Sequence, residues 1–143
     1  MAKPDPALLD PAVYPHVCEV TTRFADLDIN NHINNVAMAA IIEDARVRFH
    51  VASGFAKALP AGAQTMVVSL TIDYLAQAFY PHPLKVHSGL SAVGDRSVRL
   101  RHLLMQNDRP VALAEAVAVH VVGGKAAPLP ENLREMIEVW KCR

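Results

Sequence analysis

Polar and apolar residues alternate with two different periods along the chain. Between Asn34 and Ser53 the apolar residues Val36, Met38, Ile41, Ile42, Ala45, Val47, Phe49 and Val51 fall on nearly every side of a helix. Asn34 or Asn35 suits the N-cap, and Gly54 suits the residue just past the end. Such a helix of twenty residues would span roughly 30 Å. Being apolar round most of its circumference, it is expected to be buried. Two charge pairs, Glu43 with Arg46 and Asp44 with Arg48, have spacings that can meet on one helix face.

Beyond a Pro/Gly/Ala loop near 60–63 the period becomes two. Met66, Val68, Leu70, Ile72 and Tyr74 are expected on one strand face; Thr65, Val67, Ser69, Thr71 and Asp73 fall on the other. Tyr80-Pro81-His82-Pro83 breaks the chain. Strand-like runs follow at about 84–93, 97–106 and 110–122, with Gly94-Asp95 and Asn107-Asp108 as hairpin turns. The last run sorts Ala112, Ala114, Ala116 and Ala118 to one face, where the long helix or a partner strand could approach closely. A further strand is expected from Val17 to Phe24, and a short amphipathic helix after Pro128-Leu129-Pro130. The order is strand, long helix, four antiparallel strands. A helix with few polar sides needs a sheet that curls round it, so the expectation is one α+β domain over 1–143, with residues 1–15 as an extended, proline-punctuated lead-in.

Composition narrows the function. Of 143 residues 52% are hydrophobic and 20% charged, which supports a packed core and excludes a disordered chain. Fourteen Lys+Arg balance fourteen Asp+Glu, so no global positive field favours nucleic acid. No run approaches the length of a membrane span, and residues 1–15 lack the apolar centre of a signal peptide. Cys18 and Cys142 make no disulfide framework, and the seven His are scattered without metal-ligand spacing. The expectation is a soluble cytoplasmic protein with no metal.

The densest polar cluster runs from Arg23 to Asn35, where a strand gives way to the start of the long helix. Free backbone N–H groups and the helix dipole there stabilise negative charge. A carboxylate a few residues upstream can act as nucleophile or general base. Together these suit acyl transfer to water.

The run resembles the hot-dog-fold thioesterases of the 4-hydroxybenzoyl-CoA / long-chain acyl-CoA type. Their pattern is a strand-end Arg, D-x-D-x-x-G-H-V-N-N, then an apolar helix containing E-x-x-R. Here it reads Arg23, Asp26-Leu27-Asp28-Ile29-Asn30-Asn31-His32-Ile33-Asn34-Asn35, then Glu43-Asp44-Ala45-Arg46. Ile72-Asp73-Tyr74-Leu75, Gly94-Asp95-Arg96-Ser97 and Pro128-Leu129-Pro130-Glu131 extend the likeness over about residues 17–135. Asn31 stands where the family has Gly, and Met38 where it has an aromatic residue.

The resemblance implies a hot-dog fold, a long helix wrapped by about five curved antiparallel strands. It also implies hydrolysis of an acyl thioester, carried by CoA or acyl carrier protein, to a carboxylic acid. Asp28 would be the catalytic carboxylate, and the Asn35 N–H would polarise the carbonyl. His32 and Asn34 would shape the loop, and Met38 the acyl pocket. Coenzyme A would enter as part of the substrate rather than as a cofactor. Arg96, Arg99 and Arg101 are the candidates for its phosphates. The family's site lies at a dimer interface, so a homodimer or a dimer of dimers is implied. Another hot-dog branch uses a helix carboxylate, but for Glu43 the ion pair with Arg46 is the favoured reading. Two alternatives share the fold: an acyl-thioester hydratase or dehydratase, and a domain that binds acyl thioesters without catalysis. The hydratase pattern D-x-N-P-x-H is not matched, since Asp28 and His32 lie four apart and the Pro is absent.

Overall fold

The computed structural model describes residues 3–143. The lead-in is less extended than expected. Two single 3-10 turns, Pro6–Leu9 and Pro11–Val13, form because Asp5 and Asp10 each accept a backbone N–H two residues on. Strand β1 (His16–Val20) follows and ends earlier than expected; Phe24–Asp26 is already a tight turn. Helix α1 (Asn35–Ala52) comes next, capped by the Asn34 side chain on the Ala37 N–H at 2.7 Å. Gly54, at φ 82°, takes the left-handed conformation that ends it, and a single turn, α2 (Phe55–Ala58), follows.

The remaining elements are β2 (Ala63–Tyr74), β3 (Leu84–Val93), β4 (Ser97–Gln106), β5 (Arg109–Val122), a two-residue β6 (Lys125–Ala126) and α3 (Glu131–Trp140). The sheet is antiparallel in the order β1-β3-β4-β5-β2, with β6 added beside β5. A curled sheet holding a long helix on its inner face is the hot-dog architecture the sequence implied.

The helix rests on the inner face of the sheet, with its backbone nearest β1 and β3. Ala112 and Ala114 of β5 share a buried cluster with Ala37, Met38, Ile41, Ile42 and Ala45 of α1, and with Val20 of β1 and Leu84 and Val86 of β3. A second cluster joins Phe49 and Phe55 to Leu90, Leu100, Leu133 and Ile137. Inside the sheet, Ser88 Oγ and His102 Nδ1 share a hydrogen bond of 2.7 Å, both residues fully buried.

Three further expectations are corrected. The helix is not buried all round: Val36, Val47 and Val51 are exposed, because the sheet covers only one side and stops at β2. The faces of β2 are also not those of simple alternation. Val68 is an extra residue, a β-bulge between Val67 and Ser69. Thr65 and Val67 therefore join Leu70, Ile72 and Tyr74 on the inner face, opposite His120, Ala118, Ala116, Ala114 and Ala112. On α1, Asp44 and Arg48 form their ion pair at 3.0 Å, but Glu43 and Arg46 do not pair. No helix among the described residues is long and apolar enough to cross a membrane.

Candidate active site at the N-terminus of the long helix

The loop between β1 and α1 is built around two aspartates with different surroundings. Asp26 is buried and grips Arg23 three times: its carboxylate accepts from the Arg23 N–H at 2.9 Å, from Nε at 3.2 Å and from Nη2 at 2.8 Å. Burial alone would raise the Asp26 carboxyl, but the hydrogen bonds and charge of Arg23 outweigh it and hold it below its ordinary value. The Asp26 carbonyl accepts from the Asn34 N–H at 2.8 Å, which ties this anchor to the helix start.

Asp28 is exposed. Its N–H donates to the His32 carbonyl at 2.9 Å, and its Oδ1 accepts from the Asn30 and His32 N–H groups at 2.8 and 3.3 Å. Both side-chain bonds fall on Oδ1, which leaves Oδ2 without a partner in the loop. Asn31 closes the turn at φ 60°, a left-handed conformation that Asn tolerates better than most residues. The substitution of Asn for the family's Gly is therefore compatible with the turn.

A cleft of about 460 Å³ brings Asp28, Asn34, Asn35 and Val36 together. Of the first helical amides, Ala37 N–H is taken by the Asn34 side chain and Met38 N–H by the Asn34 carbonyl. The N–H groups of Asn35 and Val36 have no such partner among the described residues, as expected for a helix start. The sequence pointed to the first of these donors; the second, Val36, becomes visible only once the helix start is fixed at Asn35.

The other candidates lie elsewhere. Met38 is buried in the core and does not line the cleft, where Val36, Ala37 and Ala40 stand instead. His32 packs edge-on against Phe79 at 5.3 Å, and its backbone, not its ring, holds Asp28. Arg99 and Arg101 share Glu115 at 3.3 and 3.7 Å, and Arg96 sits at the β3–β4 turn, 3.5 Å from Asp95. None of these arginines lines the cleft that holds Asp28. No group of three His, Cys, Asp or Glu side chains suited to a metal is present among the described residues.

The description of the thioesterase-like superfamily matches residues 22–137, a span that includes the whole site loop and the core of the fold. The chain belongs to the thioesterase-like superfamily. An uncharacterized protein of Bacillus subtilis, YsmA, is 31% identical over 125 residues, covering 83% of this chain and 82% of its own. A Thermus thermophilus thioesterase solved with coenzyme A and zinc is 32% identical, with a TM-score of 0.77 over 87% of this chain and 92% of that one. A thioesterase-superfamily protein from Jannaschia sp. has a TM-score of 0.82 over 90% of this chain and 94% of its own; at 19% identity it shows the fold alone. Membership supports acyl-thioester hydrolysis as the general chemistry of this superfamily chain.

Proposed function

We propose that this thioesterase-like chain hydrolyses an acyl-CoA to a carboxylic acid and free CoA, with Asp28 driving the attack. The observation that carries the reading is one cleft holding an accessible carboxylate and two unpartnered helix N–H groups. The thioester carbonyl oxygen would accept from the N–H of Asn35 and of Val36, where the helix dipole also favours the developing oxyanion. The Asp28 carboxylate either adds to the carbonyl carbon or takes a proton from the water that does. If Asp28 adds, the C–S bond breaks to leave a mixed anhydride, which water then hydrolyses to release the acid and restore Asp28; if water adds, the tetrahedral intermediate expels the thiolate directly. In both cases the thiolate leaves and is protonated. CoA is the favoured carrier because a relative 32% identical was solved with it. Arg96, exposed beside a solvated Asp95, is the freest of the three arginines to meet its phosphates.

The working unit would be a dimer. Strand β2 is an open edge, and Met66, Val67, Val68, Leu70 and Tyr74 on it are exposed, as are Val36, Val47 and Val51 of α1. An unpaired apolar edge is a template for a strand, and a second copy supplies one by antiparallel, two-fold pairing. A thiol-release assay across acetyl-, octanoyl- and benzoyl-CoA tests the activity. Asp28→Asn is expected to lower kcat by about 10²–10⁴-fold, the range for a positioned acid–base group. An unchanged rate in that variant would sink the assignment.

A further inference from the structure

We propose that the cavity beneath the C-terminal half of α1 is an acyl pocket for a chain that ends in a carboxylate, making the substrate the mono-CoA thioester of a dicarboxylic acid. The inference rests on the hydrolase and dimer readings above and names the substrate class for them. The cavity measures about 270 Å³ and is walled by Val67, Leu100 and Leu133 together with Arg46, His50 and His120. An apolar cavity of about 150 Å³ holds benzene, so this one has room for a chain of roughly six to nine carbons.

Its polar walls are unusual in sign. Arg46 forms no ion pair among the described residues. His120, only 3% exposed, lines the same cavity. No Asp or Glu lines it. A guanidinium bordering an apolar space is best matched by a carboxylate. The apolar walls speak against a phosphate, which needs donors on several sides. They favour a hydrocarbon chain with one anionic end.

The cavity cannot serve the catalytic loop of its own chain. Arg46 lies eleven residues beyond Asn35, roughly 17 Å along the helix axis. Strand β2 runs from the cavity at Thr65 to Tyr74, four residues before Ala78, whose carbonyl binds the Ile33 N–H. Antiparallel pairing of two β2 strands therefore sets the cavity of one copy near Asp28 of the partner subunit. The acyl chain would enter from that cleft, carbonyl first at the helix start, carboxylate last at Arg46 and His120.

The test compares octanedioyl-CoA with octanoyl-CoA. Wild type is expected to favour octanedioyl-CoA at least tenfold in kcat/KM. Arg46→Met should bring that ratio to about one, and Arg46→Lys should restore part of it; His120→Leu should also reduce it. A wild type that prefers octanoyl-CoA, or a ratio that Arg46→Met leaves unchanged, overturns the proposal. Free octanedioate is titrated separately into Asp28→Asn protein, with the His120 ring followed by NMR. Arg46-dependent binding there, with no thioester hydrolysed by wild type, would uphold the pocket and refute the hydrolase reading. Hydrolysis without binding at His120 would refute the pocket alone.

Discussion

Asp26 and Asp28 lie two residues apart in one loop, yet the backbone around them assigns them different work. Asp26 is spent on Arg23 and on the loop itself, whereas Asp28 keeps one oxygen free. Replacing Asp28 should therefore change rate far more than stability. A second residue controls acid tolerance. Burial, with smaller contributions from Arg46 and His16, pushes the His102 imidazole down to about 4 from 6.5. The unfolded chain then takes up a proton before the folded chain does. Stability is full above 6.5 and is lost as pH falls from there toward 4. His16, His50 and His87 are lowered too, chiefly by burial, and add to the same slope. Each group contributes at most about 1.4 kcal/mol per pH unit. Melting temperatures between about pH 7.5 and 4.5 should fall steeply in wild type and less steeply in His102→Asn; parallel profiles would contradict this account.

At the scale of elements, the loop at 76–83 shows how a distant residue supports the site. The Gln106 side chain accepts from the Phe79 N–H at 2.8 Å and donates to the Phe79 and His82 carbonyls at 2.8 and 2.9 Å. That loop presents the Ala78 carbonyl to the Ile33 N–H, just before the helix begins. Gln106→Ala should destabilise the fold by about 1–3 kcal/mol through the buried groups it strands. It should also lower kcat while leaving KM less affected, as urea melts and steady-state kinetics can check. The helix, its Asn34 cap, the Gly54 stop and the Asn107-Asp108 turn were legible because each depends on neighbouring residues. That Asp28, Asn34 and Asn35 would share one cleft was legible for the same reason, since they lie within eight residues of one another. The bulge at Val68 was hidden, since a valine reads alike in a regular strand and in a bulge. The exposure of Val36, Val47 and Val51 was hidden as well, because an exposed valine looks like a core valine in sequence. The cavity joins residues from Arg46 to Ile137 and forms no motif at all.

For the whole molecule, the open edge at β2 is where the proposed dimer would form. Met66 and Val68 sit near its middle, so Met66→Glu with Val68→Glu would set like charges of two copies against each other. The double variant should sediment as a monomer and lose activity with the dimer; a fully active monomer would show that one copy suffices. The bulge gives that edge another property. Deleting Val68 would leave Val67 opposite Ala118 and Ser69 opposite Val117 in unbroken alternation, so the chain should still fold with both faces intact. What would vanish is a notch. A smooth apolar edge can slide along a neighbour by whole steps and accept strangers, whereas a kinked one fits its twin in a single frame. If the proposed dimer forms at this edge, light scattering of the deletion variant should reveal a mixture of aggregates in place of one species, and Val68 would be the tooth that keeps two identical molecules in step.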